Sequence, residues 1–160
     1  KVAIVAAVEP NMSDHASPRV PYTLLAADAF KGLLATSKAV HDSSIDPTLM
    51  EMVFLRVSQL NGCGYCMDMH ATTLRKGGIE PRKLDTLPAW HESRFFDARE
   101  RAALGWAEAL TRLTDGAPSQ AAFYALVPHF DEKGISDLSM GIAVINAWNR
   151  LGAGLLPPLP

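Results

Sequence analysis

The sequence predicts an all-α fold, and three observations carry that prediction. Apolar residues recur at helical spacing in successive segments, and no stretch sustains the two-residue alternation of a half-buried strand. Nor does any Asn-Gly pair join two β-rich runs.

Residues 1–20 carry Pro10, Pro18 and small polar residues and read as an extended arm before a single helical domain over residues 21–160. Lys1 stands where a Met is usual, and Met12-Ser13-Asp14-His15 reads as an ordinary start. Residues 1–11 are therefore expected to be an added segment or to lie upstream of the natural start. Pro21 suits a first helical position, and Leu24, Leu25, Ala29, Leu33, Leu34 and Val40 then predict a helix ending in the polar residues 41–44. Asp46-Pro47 pairs an N-cap carboxylate with a proline at the first position, so the next helix runs from Leu49 to Leu60. It is apolar on nearly every face, which predicts burial; Glu51 and Arg56 are its charged exceptions. Asn61-Gly62 ends it, since both residues tolerate the left-handed conformation of a helix C-terminus.

A further helix should run from Cys63 to Lys76 and stop at Gly77-Gly78, followed by a short one over Ile79–Leu87 and a turn from Pro88 around Trp90 and His91. Asp97 should cap a helix from Ala98 to Thr114, and Asp115-Gly116-Ala117-Pro118 breaks the chain. A helix over Ser119–Val127 and one over Asp137–Leu151, capped by Ser136, complete the domain before Gly152 and a Pro-rich tail.

Composition narrows the function classes. With 48% hydrophobic and 20% charged residues the chain is ordinary globular material, which excludes disorder as a whole-chain description. A net charge of −2 and the absence of a basic patch give no reason to expect nucleic acid or an anionic membrane as a partner. No apolar run approaches the ~20 residues of a membrane helix. Ala3–Val8 is too brief for a signal sequence, so a cytoplasmic protein is expected. The two cysteines, Cys63 and Cys66, lie three residues apart. A bridge between them closes almost no loop and so contributes little to stability, which points to chemistry rather than framework.

On a helix, Cys63, Cys66 and His70 form one stripe, and cysteines at i and i+3 come within disulfide reach. Free amides and the dipole at the helix N-terminus favour a thiolate on Cys63, and His70 could accept a thiol proton. Glu51 sits in an otherwise apolar helix that ends just before Cys63; once buried, its carboxyl would become a proton acceptor near neutral pH. Zinc is the competing use of Cys63, Cys66, His70 and Glu51. Ligands three and seven positions apart on one helix do not readily surround a tetrahedral ion, so no metal and no cofactor are expected. Met50, Met52, Met67 and Met69 read as packing, and Trp90, Trp106 and Trp148 as core or interface anchors.

The pattern Glu51, eleven residues, Cys63-x-x-Cys66, three residues, His70 resembles the AhpD-like alkylhydroperoxidase branch of the carboxymuconolactone decarboxylase family at every position. Arg56-Val57-Ser58, Arg75-Lys76-Gly77-Gly78, Glu100–Leu104, Trp106–Thr111 and Asn146–Leu151 are also similar to that family, so the likeness spans Pro21 to Leu151. The resemblance implies an all-helical fold that oligomerises through helix packing, as a homo-trimer or homo-hexamer. It further implies a peroxiredoxin-type cycle, in which Cys66 attacks a peroxide and becomes a sulfenic acid, Cys63 resolves it as a disulfide, and Glu51 and His70 relay protons. The helix-terminus argument favours Cys63 as the more acidic thiol, so the first sulfur attacked stays open between the two. The implied partners are a peroxide substrate and a dithiol reductant such as a lipoylated protein. Well-known members carry a histidine where this chain has Tyr65, and a phenol is a poor base at neutral pH; His91 could contribute from elsewhere in the site or from a neighbouring subunit. A lactone decarboxylase, like the family's other branch, and a non-catalytic redox-sensing oligomer are the alternatives. Decarboxylation gives no reason for two thiols one helical turn apart.

Overall fold

A computed structural model describes residues 17–158. The expected arm lies mostly outside the described residues, as do residues 1–11 and the last two of the tail. Within them every regular element is helical: α1 (Tyr22–Leu25), α2 (Ala27–His41), α3 (Pro47–Asn61), α4 (Gly64–Lys76), α5 (Pro81–Asp85), α6 (Ala98–Thr111), α7 (Gln120–Tyr124) and α8 (Glu132–Leu155). Single 3₁₀ turns follow α5 at Leu87–Ala89 and α6 at Leu113–Asp115.

Helix α3 is the axis of the fold and packs against α4, α6 and α8. Its start follows from sequence: the Asp46 carboxylate accepts the Leu49 N–H at 2.9 Å, and Pro47 occupies the first turn. Met52, Val53 and Val57 on it are fully enclosed, each worth ~1.5–3 kcal/mol of apolar burial relative to exposure. Its end sets the position of everything that matters chemically. Gly62 takes a left-handed φ of 67°, and the next N–H, that of Cys63, donates back to the Ser58 carbonyl at 3.1 Å. The chain thus turns into α4 within two residues, with Cys63 at the corner.

Four expectations need correction. The first helix is broken, because Ala26 leaves helical geometry (φ −117°, ψ 42°) between α1 and α2. Leu24 and Leu25 stay exposed, so no buried face holds the first turn in line with the rest. Helix α6 stops at Thr111 rather than Thr114, since Leu113 is exposed and nothing packs the last turn. Helix α7 is five residues long rather than running to Val127. Helix α8 starts five residues before Asp137, capped by Asp131 through the Gly134 N–H at 2.7 Å, and runs through Gly152 to Leu155. Ser136 does not cap; inside the helix its hydroxyl donates back to the Glu132 carbonyl.

Candidate functional site

Cys63 sits one residue earlier than the first helical turn. It is the N-cap of α4, and its sulfur accepts the Cys66 N–H at 3.4 Å. Cys66, one turn on, is bonded to it as a disulfide with the Cα atoms 5.4 Å apart. Both are buried, Cys63 with no exposed surface at all. His70 follows one turn later on the same face, and all three side chains belong to the stripe the spacing describes.

The structure brings Glu51 to this stripe across the α3–α4 interface. Its Oε2 lies 2.8 Å from His70 Nδ1, with both side chains largely buried. An ionised carboxylate can only accept, so Nδ1 carries the proton and donates, and Nε2 is left as the basic nitrogen. That Nε2 is buried and has no hydrogen-bond partner among the described residues. The Phe54 ring packs beside the imidazole at 5.2 Å between centroids and helps hold it in place.

Cys66 and His70 line a cavity of about 330 Å³, open on one side, between α1, α2, α3, α4 and α8. Phe30, Leu34, Phe54, Val144, Ile145 and Trp148 form much of its wall, and Tyr65 and Gly152 border the cysteine end. Among the described residues no Lys, Arg, Asp or Glu lines it. Among the described residues no group of three or more His, Cys, Asp or Glu is arranged to hold a metal ion.

Other candidates go elsewhere. Arg56 does not pair with Glu51; its guanidinium donates to Glu108 on α6 at 2.7 Å. Trp90 Nε1 donates to the same carboxylate oxygen at 2.9 Å. Burial alone would push the Glu108 carboxyl up. The hydrogen bonds from Trp90 and Arg56, with the Arg56 charge, outweigh it and hold it below the usual carboxylate range. His91 stacks on Trp90, 4.0 Å from the other oxygen of Glu108 and mostly exposed, and is not among the residues lining the cavity of its own chain. Met50 and Met52 are core and Met67 packs against it, whereas Met69 faces the cavity.

Sequence reasoning missed two residues that shape the site, Asn149 and Gly152, and a third, Glu108, that organises the neighbouring cluster on α6. Glu108 was visible as a lone acid amid Ala107, Ala109 and Leu110. Asn149 is buried and donates to Ser58 Oγ at 3.0 Å, while its own oxygen accepts from Asn61 at 2.9 Å, tying α8 to the end of α3. Gly152 meets the cysteine sulfurs directly. Neither Asn149 nor Gly152 has a local signal, because their partners are distant in sequence.

The sequence pattern of the carboxymuconolactone decarboxylase family matches residues 25–109, more than half of the chain. The chain belongs to that family. Among its family relatives, the Bacillus subtilis (strain 168) protein YdfG, which is uncharacterized, is 34% identical over 139 residues, covering 87% of this chain and 95% of that one. The alkyl hydroperoxide reductase AhpD of Bradyrhizobium diazoefficiens is 36% identical over 47 residues only, 29% of this chain and 26% of that protein. The crystal structure of an Agrobacterium tumefaciens protein of unknown function, for which antioxidant defence as an AhpD is a candidate assignment, superposes with a TM-score of 0.85. It is 31% identical, covering 89% of this chain and 98% of that one. The all-α, AhpD-like fold of this family member is therefore established. As for membranes, no helix among the described residues is long and apolar enough to cross one.

Proposed function

We propose that this member of the carboxymuconolactone decarboxylase family is a thiol-dependent, peroxiredoxin-type peroxidase working through Cys63 and Cys66. One observation carries the reading: Cys66 opens on the same cavity as His70, whose Nδ1 is held by Glu51 and whose Nε2 is free to take a proton. In the reduced enzyme His70 Nε2 accepts the Cys66 thiol proton. The thiolate attacks the distal oxygen of the peroxide, the O–O bond breaks, and the alkoxide takes up the proton to leave as an alcohol. Cys66 is now a sulfenic acid. The Cys63 thiol displaces its hydroxyl as water, closing the disulfide. Peroxide and two thiols thus become alcohol, water and a disulfide, a two-electron exchange.

Cys66 is the sulfur attacked first in this scheme. It lines the cavity, whereas Cys63 has no exposed surface, lies outside the lining and uses its sulfur to cap α4. The cycle needs a dithiol donor such as a lipoylated protein to reopen the disulfide. We assign the working form as a cytoplasmic homo-oligomer, trimer or hexamer, with Tyr65 bordering the cavity where well-known members carry a histidine.

One equivalent of organic hydroperoxide added to reduced protein at pH 7, followed by thiol titration and mass spectrometry of the Cys63–Cys66 peptide, tests the proposal. Rapid loss of both thiols into an intramolecular bridge is expected. Thiols that stay reduced for hours would exclude it and favour the decarboxylase or non-catalytic alternatives.

A further inference from the structure

Resting on the peroxidase reading, we propose that the cavity is a binding site for hydroperoxides that carry an aromatic ring close to the O–O bond. Size is the first argument. An apolar cavity of about 150 Å³ takes up a benzene molecule, and a water occupies about 30 Å³. At about 330 Å³ the cavity is far larger than hydrogen peroxide requires and holds a ring with its hydroperoxyl-bearing carbon.

The wall supplies the second argument. Tyr22, Phe30 and Trp148 form an edge-to-face series, with ring centroids 5.9 and 5.7 Å apart and interplanar angles of 76° and 85°. This is the geometry in which aromatic groups attract one another, and a further ring entering the cavity extends it. Trp148 Nε1 donates to Ser37 Oγ at 2.8 Å, and the Ser37 hydroxyl donates on to the Leu33 carbonyl. That stretch of wall therefore offers ring surface rather than hydrogen-bonding groups. Among the described residues no Lys, Arg, Asp or Glu is in the lining, where His41 and His70 are the imidazoles, so most of the wall is apolar.

The groups able to react with a peroxide are Cys66 and His70 on α4. The partnerless Nε2 of His70, itself buried, carries the proton taken from Cys66 and donates it to the peroxide oxygen that leaves, and Cys66 borders the same space. A ring held by Phe30 and Trp148 and an O–O bond held at His70 and Cys66 satisfy both ends at once. Reduction of such a substrate gives the aryl carbinol and water and oxidises the cysteine pair, with the dithiol donor restoring it.

Steady-state turnover with dihydrolipoamide as reductant should be compared for cumene hydroperoxide, tert-butyl hydroperoxide and hydrogen peroxide. The kcat/KM for cumene hydroperoxide is expected to exceed that for tert-butyl hydroperoxide at least tenfold, and Phe30→Ala should bring that ratio toward one. Phe30→Leu keeps apolar bulk without the ring and guards against misfolding. Binding of 2-phenyl-2-propanol against tert-butanol, followed by calorimetry on a Cys63→Ser/Cys66→Ser protein, reads the same preference without turnover. Equal specificity constants, or a ratio untouched by Phe30→Leu, overturn the inference and leave the peroxidase reading standing. No turnover of any of the three peroxides removes that reading and this inference with it.

Discussion

A Cβ placed on Gly152 would stand 2.6 Å from the sulfur of Cys63 and 3.4 Å from that of Cys66, so α8 reaches the disulfide only because residue 152 has no side chain. Gly152→Ala forces either α8 or the Cys63 sulfur to move. Overpacking of this kind costs about 1–3 kcal/mol. Gly154, two residues on in the same helix, has open space where its Cβ would go. Gly154→Ala should instead stabilise by roughly 0.4–1 kcal/mol, because it reduces only the freedom of the unfolded chain. Thermal unfolding of both oxidised variants separates the two effects; shifts of the same sign would mean that the sulfur contact is not what Gly152 provides.

The Glu51–His70 pair makes a kinetic prediction. Glu51→Gln keeps an acceptor for Nδ1–H but removes the carboxylate 2.8 Å from the imidazole that takes the Cys66 proton. Peroxide turnover should fall on the order of 10²-fold, the lower range for a positioned acid–base group. Circular dichroism should stay native, since the amide fits the same space. Turnover equal to that of the parent protein would take Glu51 out of the proton relay.

Part of the acid sensitivity should trace to Glu108. Its folded-state carboxyl is held below the ordinary carboxylate range, against the opposing effect of its own burial. The unfolded chain therefore binds the proton more readily. The stabilisation is fully present above the unfolded value and is lost as pH falls through the lower, folded one. Urea midpoints measured from pH 7 down to pH 3 should drop more steeply for the parent protein than for Glu108→Gln. Glu108→Ala, which strands the buried Arg56 guanidinium, should cost about 3–5 kcal/mol at pH 7. Parallel midpoint curves would show that the acid slope comes from other carboxylates.

What could be read from sequence follows a physical divide. The start of α3 at Asp46-Pro47, its end at Asn61-Gly62 and the capping box of Asp97 with Glu100 are local devices, in which the partners lie within a turn of each other. So is the Cys63–Cys66–His70 stripe, once that segment is helical. The Glu51–His70 bond was reachable only because α3 and α4 are joined by a two-residue turn. The Arg56–Glu108–Trp90 cluster, the Asn149–Ser58 bond and the Gly152–sulfur contact join elements 18 to 91 residues apart, and no periodicity records them. The broken first helix belongs to the same class: its apolar spacing is continuous, but the fold leaves Leu24 and Leu25 in solvent.

The start of α8 turns this divide into a last measurement. Ser136 is the cap expected from sequence and Asp131 the cap found in the fold, and both are followed by helix-compatible residues. Gly134 between them argues for the later start, because glycine costs a helix interior roughly 1 kcal/mol. In the fold Gly134 is buried, and a Cβ there would meet Asp131 Oδ1 at 3.1 Å and the Phe130 Cβ at 3.4 Å. Close packing thus favours glycine and carries the helix through it. Asp131→Ala should therefore cost ~1 kcal/mol, as loss of an N-cap does, and hydrogen exchange should show lost protection over residues 134–137. Ser136→Ala removes only a back-bond to the Glu132 carbonyl and should stay within ~0.5 kcal/mol of the parent. If Ser136→Ala proved the costlier of the two, the helix in solution would begin at residue 137, and the ion pair of Lys133 with Asp137 would have no helical turn to hold it.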